Sequence, residues 1–203
     1  MVERTKSEIN LIKNDQNITV IALSRELLED YLKFFDNYAF IDNPHWSSCY
    51  CYFPHAPHEI CTWKDRTAEE NRSAVSDLIM DGKMHGYITY HNGKPIGWCN
   101  AGPHINMTIT PDYEELETDK IGSIVCFIIA KAYRRKGISR LMLDAACNGF
   151  KAHGFKYAEG YPIKNVEGEA ANHHGPLELY LSAGFKQYAT EDDTIIMRKL
   201  LNE

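Results

Sequence analysis

No stretch of this chain is apolar for long. The longest run, residues 124–130, is far short of the ~20 apolar residues that cross a bilayer as a helix. The start of the chain, from Met1 to Lys6, lacks the apolar core of a secretory signal, so a cytoplasmic location is expected. Glycine is sparse where a nucleotide fold would need it. The basic turn at 134–139 holds Gly137 alone, so neither the P-loop pattern nor G-x-G-x-x-G fits. The six cysteines, at 49, 51, 61, 99, 126 and 147, are scattered through candidate core segments. That scatter argues against a disulfide framework and suits reduced thiols. An extended basic stripe is also missing from a chain of formal net charge −6, which argues against nucleic acid as a partner. Internal repeats and low-complexity segments are absent. The 203 residues, 44% hydrophobic and 25% charged, suit one domain with a substantial core.

What the chain does have is a short apolar run, a basic turn and an amphipathic helix in succession. The run from Ile124 through Val125, Cys126, Phe127, Ile128 and Ile129 predicts a strand buried on both faces. Ile138, Leu141, Met142, Ala145 and Gly149 recur at helical spacing, so the turn sits at a helix start. Lys131, Arg134, Arg135, Lys136 and Arg140 put five basic residues in ten, with no acid among them. A helix start offers free N–H groups and partial positive charge, so a phosphorylated ligand is expected there. The plain alternative is a solvated basic turn before a surface helix.

Elsewhere the local signals are turn and cap residues. Residues 18–23 read as a strand, and Ser24 caps a helix through Leu27, Leu28, Tyr31, Leu32 and Phe35. Thr67 and Glu70 have capping-box spacing, opening a helix with Ala68, Val75, Leu78 and Ile79 inward and Gly82 past its end. Asn92 and Gly93 join two strand runs, 86–91 and 94–101, with the residues of a type I′ turn. After an acidic loop at 112–119 and the run already described come a strand at 155–161, a short helix ending near Ala183 and Gly184, and strands at 185–189 and 194–198. The order is one strand, two helices, three antiparallel strands, helix, strand, helix and hairpin. That is an α+β fold, with helices flanking a central mixed, mostly antiparallel sheet.

Arg134, Gly137 and Ser139 carry a resemblance. Gln or Arg, then Gly three residues on, then Gly, Ala or Ser two further, is the pyrophosphate loop of the GNAT superfamily of N-acetyltransferases. Leu179, Tyr180, Gly184 and Phe185 resemble the family's second hallmark, L-Y-x-x-x-G-F. The resemblance runs from about 86 to 199. More narrowly, Trp46, Cys49, Cys51, Gly97, Trp98, Cys99, Ser123 to Phe127 and Glu159 to Pro162 look like a bacterial subgroup whose acceptors are mostly unassigned. It implies one domain over 1–203, with the cofactor-binding core at about 86–199. Residues 1–85 then supply the first strand, two helices and an acceptor-side loop.

The resemblance also implies a chemistry: direct transfer of an acetyl group from acetyl-CoA to an amine of a small molecule, with no metal. Backbone N–H groups of Arg135, Lys136, Gly137, Ile138, Ser139 and Arg140 would grip the pyrophosphate, together with the charge of Arg134 and its neighbours. The 124–130 strand would splay from the 155–161 strand. Pantetheine would then pair with Phe127, Ile128 and Ile129, and an unpaired strand N–H would polarise the thioester carbonyl. Tyr180 falls on the family's general acid, which protonates the departing thiolate. Seven residues before that tyrosine the family often has asparagine; here His173 stands there, with Asn172 one residue earlier. The general base is open between Glu159, His104 and the acidic loop of Asp112, Glu114, Glu115, Glu117 and Asp119. Glu159 reads equally well as a structural carboxylate. Over an acceptor pocket, the acidic loop would favour a cationic substrate such as a polyamine, aminoglycoside or amino-terminal peptide. Family members often pair, so a homodimer is expected as well.

Three histidines and three cysteines crowd residues 45–61. One reading is a soft-metal site, although Cys49 and Cys51 are closer than the usual C-x₂₋₄-C spacing. The other is an acceptor-side loop walled by Trp46, Tyr50, Tyr52, Phe53 and Trp63, its thiols buried as small apolar groups. A rival to the enzyme is therefore a non-catalytic CoA-binding protein, or a thiol- or metal-responsive sensor built on Cys49, Cys51 and Cys61. Modification of a protein N-terminus or lysine is a third reading.

Overall fold

Turn chemistry fixes the first half of the sheet. Asn92 and Gly93 adopt φ of +50° and +75°, the two left-handed positions of a type I′ turn. They join strand β2 (Gly86–His91) to β3 (Lys94–Pro103). The computed structural model describes residues 17–113, 117–164, 168 and 172–201. Its other strands are β1 (Ile18–Ala22), β4 (Ile121–Ile129), β5 (Tyr157–Gly160), β6 (Lys186–Glu191) and β7 (Thr194–Leu200). They form one sheet in the order β1-β2-β3-β4-β5-β7-β6, antiparallel throughout except for the parallel β4–β5 pair. The mixed, mostly antiparallel sheet expected from the sequence is the one observed.

Two cores lie on opposite faces. Helix α3 (Ile138–Ala152) and the short α4 (Leu177–Ser182) pack with Ile96, Ile124 and Phe127. Helix α1 (Leu28–Asn37) and α2 (Ala68–Met80) pack with Ile88, Trp98 and Ile128. The capping box at the start of α2 is complete: Thr67 Oγ1 accepts from Glu70 N at 3.2 Å, and the Glu70 carboxylate accepts from Thr67 N at 2.7 Å. Two expectations shift. Ser24 makes no side-chain cap, because a 3₁₀ turn at Arg25–Leu27 precedes α1. Helix α2 buries Asn71, Val75 and Ile79, leaving Ala68 exposed and Leu78 half-buried. Asn71 is tolerated inside because Arg66 Nε donates to its Oδ1 at 2.6 Å and its own amide donates to Ser48 O at 2.8 Å. No described helix is long and apolar enough to cross a membrane.

The feature that positions the site lies in β4. Its register against β3 slips: Asn100 faces Cys126 and Ala101 faces Ile124, leaving Val125 as a bulge. Val125 and Cys126 consequently both reach the α1–α2 side. On its other edge β4 pairs with β5 only from Ile121 to Ile124. Strand β5 ends at Gly160, shortly before Pro162, which has no N–H to extend a ladder. Beyond that point the two strands separate.

Candidate active site

A cavity of about 1440 Å³ runs along the separated edge of β4. At one end are Arg134, Arg135, Gly137, Ser139 and Arg140; along its floor are Val125 to Ile129; at the far end are Trp46, Cys49, Cys51, Phe53 and Trp63. Phe127, Ile128 and Ile129 thus line it as expected. Val125, Phe127 and Ile129 turn backbone groups toward the gap: they meet His174, His173 and the Arg134 side chain respectively.

The basic turn is built for an anion. Gly137 is the N-cap of α3 at φ +80°, with no side-chain cap on the N–H groups that follow. Those N–H groups have no intrahelical acceptor. A side chain on Gly137 would meet nothing within 4 Å, so its backbone faces open space. The charges around it divide. Arg134 clamps Asp42 through two hydrogen bonds, 2.6 and 3.0 Å, while its Nε donates to Ile129 O at 2.9 Å. That clamp holds the Asp42 carboxyl below the usual carboxylate range. Arg140 bonds Asp144 at 2.9 Å and Ser182 O at 3.0 Å while still lining the cavity. Lys136 leans over the Tyr133 ring at 5.5 Å and does not line it.

The segment at 172–175 lies along the unpaired edge of β4 and lines the cavity. Phe127 N donates to His173 O at 2.6 Å, and the His174 ring bonds the Val125 backbone. Burial, then the neighbouring His173, lowers His174 to about 4. Tyr180 sits directly beneath. It is fully buried, its hydroxyl donates to His174 O at 2.6 Å, and its ring lies where a Cβ on Gly160 would be. Burial pushes its phenol well above the ordinary value, so the proton stays on. Tyr180 is therefore separated from the cavity by the backbone of the same segment that occupies the strand edge.

Glu159 is also one residue removed. It is fully buried, and Arg198 Nε donates to its Oε1 at 2.5 Å from the directly opposed position on β7. Tyr161 and Tyr113 donate to its Oε2 at 3.0 and 3.1 Å. Tyr161 lines the cavity and Glu159 does not. The Tyr161 hydroxyl also lies 2.7 Å from Ser123 Oγ, which is 2.9 Å from His104 Nδ1. Pro111 O can only accept, so His104 Nε2, 2.8 Å away, carries a proton. Of the acidic loop, Glu114 and Glu115 lie outside the described residues.

Residues 46–160 match the family model described as the acetyltransferase (GNAT) family. That is more than half of the chain. The chain belongs to the GNAT family. Solved GNAT structures share the fold at low identity. An N-acetyltransferase from Staphylococcus aureus Mu50 superposes with a TM-score of 0.55 and 16% identity, covering 92% of this chain and 99% of its own. The PaiA N-acetyltransferase from Thermoplasma acidophilum, in complex with coenzyme A, gives 0.54 and 16%, over 90% and 98%. YncA, a putative acetyltransferase from Salmonella typhimurium with its cofactor acetyl-CoA, gives 0.53 and 15%, over 92% and 95%. No curated protein matches in sequence.

The far end of this GNAT chain's cavity differs in detail from the expected aromatic wall. Trp46, Phe53 and Trp63 line it, but Tyr50 turns its hydroxyl to Asp36 at 2.7 Å and Tyr52 lies under Arg66 at 4.7 Å. All six cysteines are free thiols. Cys126, not Cys61, joins Cys49 and Cys51 there. Tyr50 and Cys51 have φ of +45° and +51°, two consecutive left-handed residues without glycine; such strain costs of order 1–3 kcal/mol each. Tyr31, donating to Tyr50 O at 2.6 Å, and Asn100, 3.4 Å from Cys51 O, hold it in place. The second hydrogen-bonding direction of the Asn100 amide reaches His55 Nε2 at 3.0 Å, and the same nitrogen lies 3.4 Å from Cys51 Sγ. Among the described residues no group of three or more His, Cys, Asp or Glu side chains is placed to hold a metal ion.

Sequence reasoning passed over Asp42, Asn100, Arg198 and His174. Asn100 carried a signal, a lone amide inside the apolar run Ile96 to Ala101. Asp42 carried none, since its partner Arg134 is 92 residues away.

Proposed function

We propose that the protein is an N-acetyltransferase that moves an acetyl group from acetyl-CoA directly to an amine of a small molecule. One observation carries this reading: a single cavity joins the uncapped start of α3, the open edge of β4 and an aromatic, thiol-lined end. The first holds a pyrophosphate, the second a pantetheine chain, the third an acceptor. Family membership and the CoA and acetyl-CoA complexes of two structural relatives support the donor.

In this mechanism the α3 start and Gly137 take the pyrophosphate, with Arg135 and Arg140 adding charge. Arg134 shapes the turn through Asp42. Pantetheine takes over the contacts that the 172–175 segment makes with Val125 and Phe127. Release of His174 O frees the Tyr180 hydroxyl, which then gives its proton to the departing CoA sulfur. Glu159 acts on the acceptor's proton through Tyr161, the member of its hydrogen-bonded group that faces the cavity. Glu159 is therefore a positioning residue, and its catalytic effect reaches the amine by way of the phenol.

The test is thiol release from acetyl-CoA in the presence of a panel of polyamines, aminoglycosides and amino-terminal peptides. An acceptor should appear. Tyr180→Phe should then lower kcat without weakening acetyl-CoA binding. Glu159→Gln should lower kcat and move the pH–rate profile, which a purely structural carboxylate would not. Acetyl-CoA binding with no thiol release from any amine would make the protein a non-catalytic CoA-binding module.

A further inference from the structure

The geometry points to Cys51 as a covalent acylation site: its thiol takes the acetyl group of acetyl-CoA by thioester exchange when the acceptor end of the cavity is empty. This rests on the acetyl-CoA reading above. Placement comes first. The pyrophosphate turn follows the C-terminal end of β4, so pantetheine lying along Ile129 and Phe127 brings its thioester to the Val125–Cys126 bulge. Cys51 is there, lining the same cavity, with its thiol hydrogen-bonded to Cys126.

Three thiols meet at this point, and their surroundings separate them. Burial disfavours a Cys51 thiolate, but its polar neighbours, the Cys126 thiol and the Asn100 amide nitrogen 3.4 Å from its Sγ, outweigh it and lower its pKa. Cys49 is pushed up to about 12 by burial and the adjacent Cys51, and Cys126 is raised by its bond to Cys51. One sulfur is thus provided with donors, and the other two are kept protonated. A thiolate is the nucleophilic form of cysteine. Asn100 is fixed in turn by His55, which is half-buried and whose pKa is lowered by that burial. The left-handed backbone at Cys51 presents the sulfur to this set at a cost in strain, as is common where a site is preorganised.

The step balances without a co-reactant. Cys51 Sγ attacks the thioester carbonyl, the bond from that carbon to the CoA sulfur breaks, and the proton lost by Cys51 ends on the CoA sulfur. The products are S-acetyl-Cys51 and free CoA. One thioester replaces another, so free CoA reverses the reaction. The acetylated thiol stands in the acceptor end and competes with amine transfer until it is removed.

The experiment is intact-mass and peptide-map analysis of the whole protein after incubation with acetyl-CoA, alongside a calorimetric titration of the same sample. Expected are one acetyl group per chain on the Cys51 peptide, loss of that group with neutral hydroxylamine or free CoA, and no label in Cys51→Ala. The wild-type peptide map identifies the site even if that variant fails to fold. Acetyl-CoA binding without acetylation, or acetylation elsewhere, overturns this inference and leaves the acyltransferase reading standing. Absence of binding overturns both.

Discussion

At the scale of single residues, Gly137, Glu159 and His174 each make a separable prediction. Gly137 is at φ +80° with open space where a side chain would go. Gly137→Glu therefore costs only about 1–2 kcal/mol of backbone strain. It places a carboxylate where a pyrophosphate is proposed to bind, so acetyl-CoA affinity should fall at least about a hundredfold, ~3 kcal/mol, in a variant with an unchanged circular dichroism spectrum. Arg198→Met strips a fully buried Glu159 of its only cationic hydrogen-bond partner among the described contacts. Breaking such a pair costs about 3–5 kcal/mol, to be read as a lower urea midpoint. His174 sets a pH dependence. Its folded pKa of about 4 lies below the ~6.5 of an unfolded histidine. Below ~6.5 the unfolded chain takes up a proton that the folded chain refuses, so stability falls as pH drops toward the folded value. At pH ~5 the loss should be about 2 kcal/mol, and His174→Asn should lose less than wild type over the same range.

Among the elements, α3 and β4 carry the account. Helix α3 comes so close to β2 that a Cβ on Gly149 would overlap the Tyr87 hydroxyl. Gly149→Ala gains ~1 kcal/mol in helix propensity but overpacks a closed contact by about 1–3 kcal/mol. Urea unfolding should show a net loss. How much of this was legible in the sequence depended on how local the cause was. The Asn92–Gly93 turn and the Thr67–Glu70 box are settled by neighbouring residues, and both stand as read. Ser24 and Ala68 did not behave as read, because a 3₁₀ entry turn and a satisfied buried Asn71 are invisible to apolar periodicity. The candidate site divides the same way. Gly137 at a helix start follows from a dozen contiguous residues. The Arg134–Asp42 clamp, the Glu159–Arg198 pair and the seating of residues 172–175 on the edge of β4 depend on chain segments far apart. Insertion of β7 between β5 and β6 creates the second of these, and no local pattern announces it.

For the whole molecule, a sheet with a core on each face leaves one interruption, the divergence of β4 from β5, and the cavity opens there. The basic turn from the α3 side and the aromatic, thiol-bearing loop from the α1–α2 side meet across it, joined by the Arg134–Asp42 pair. What enters that cavity decides the proposed function. The most direct measurement is isothermal titration of the protein with acetyl-CoA, with ATP titrated in parallel and with Gly137→Glu as the comparison. Micromolar, one-to-one binding of acetyl-CoA that is lost in Gly137→Glu and is not matched by ATP is the predicted result. No binding by the wild-type protein, or equal binding by the variant, would contradict it.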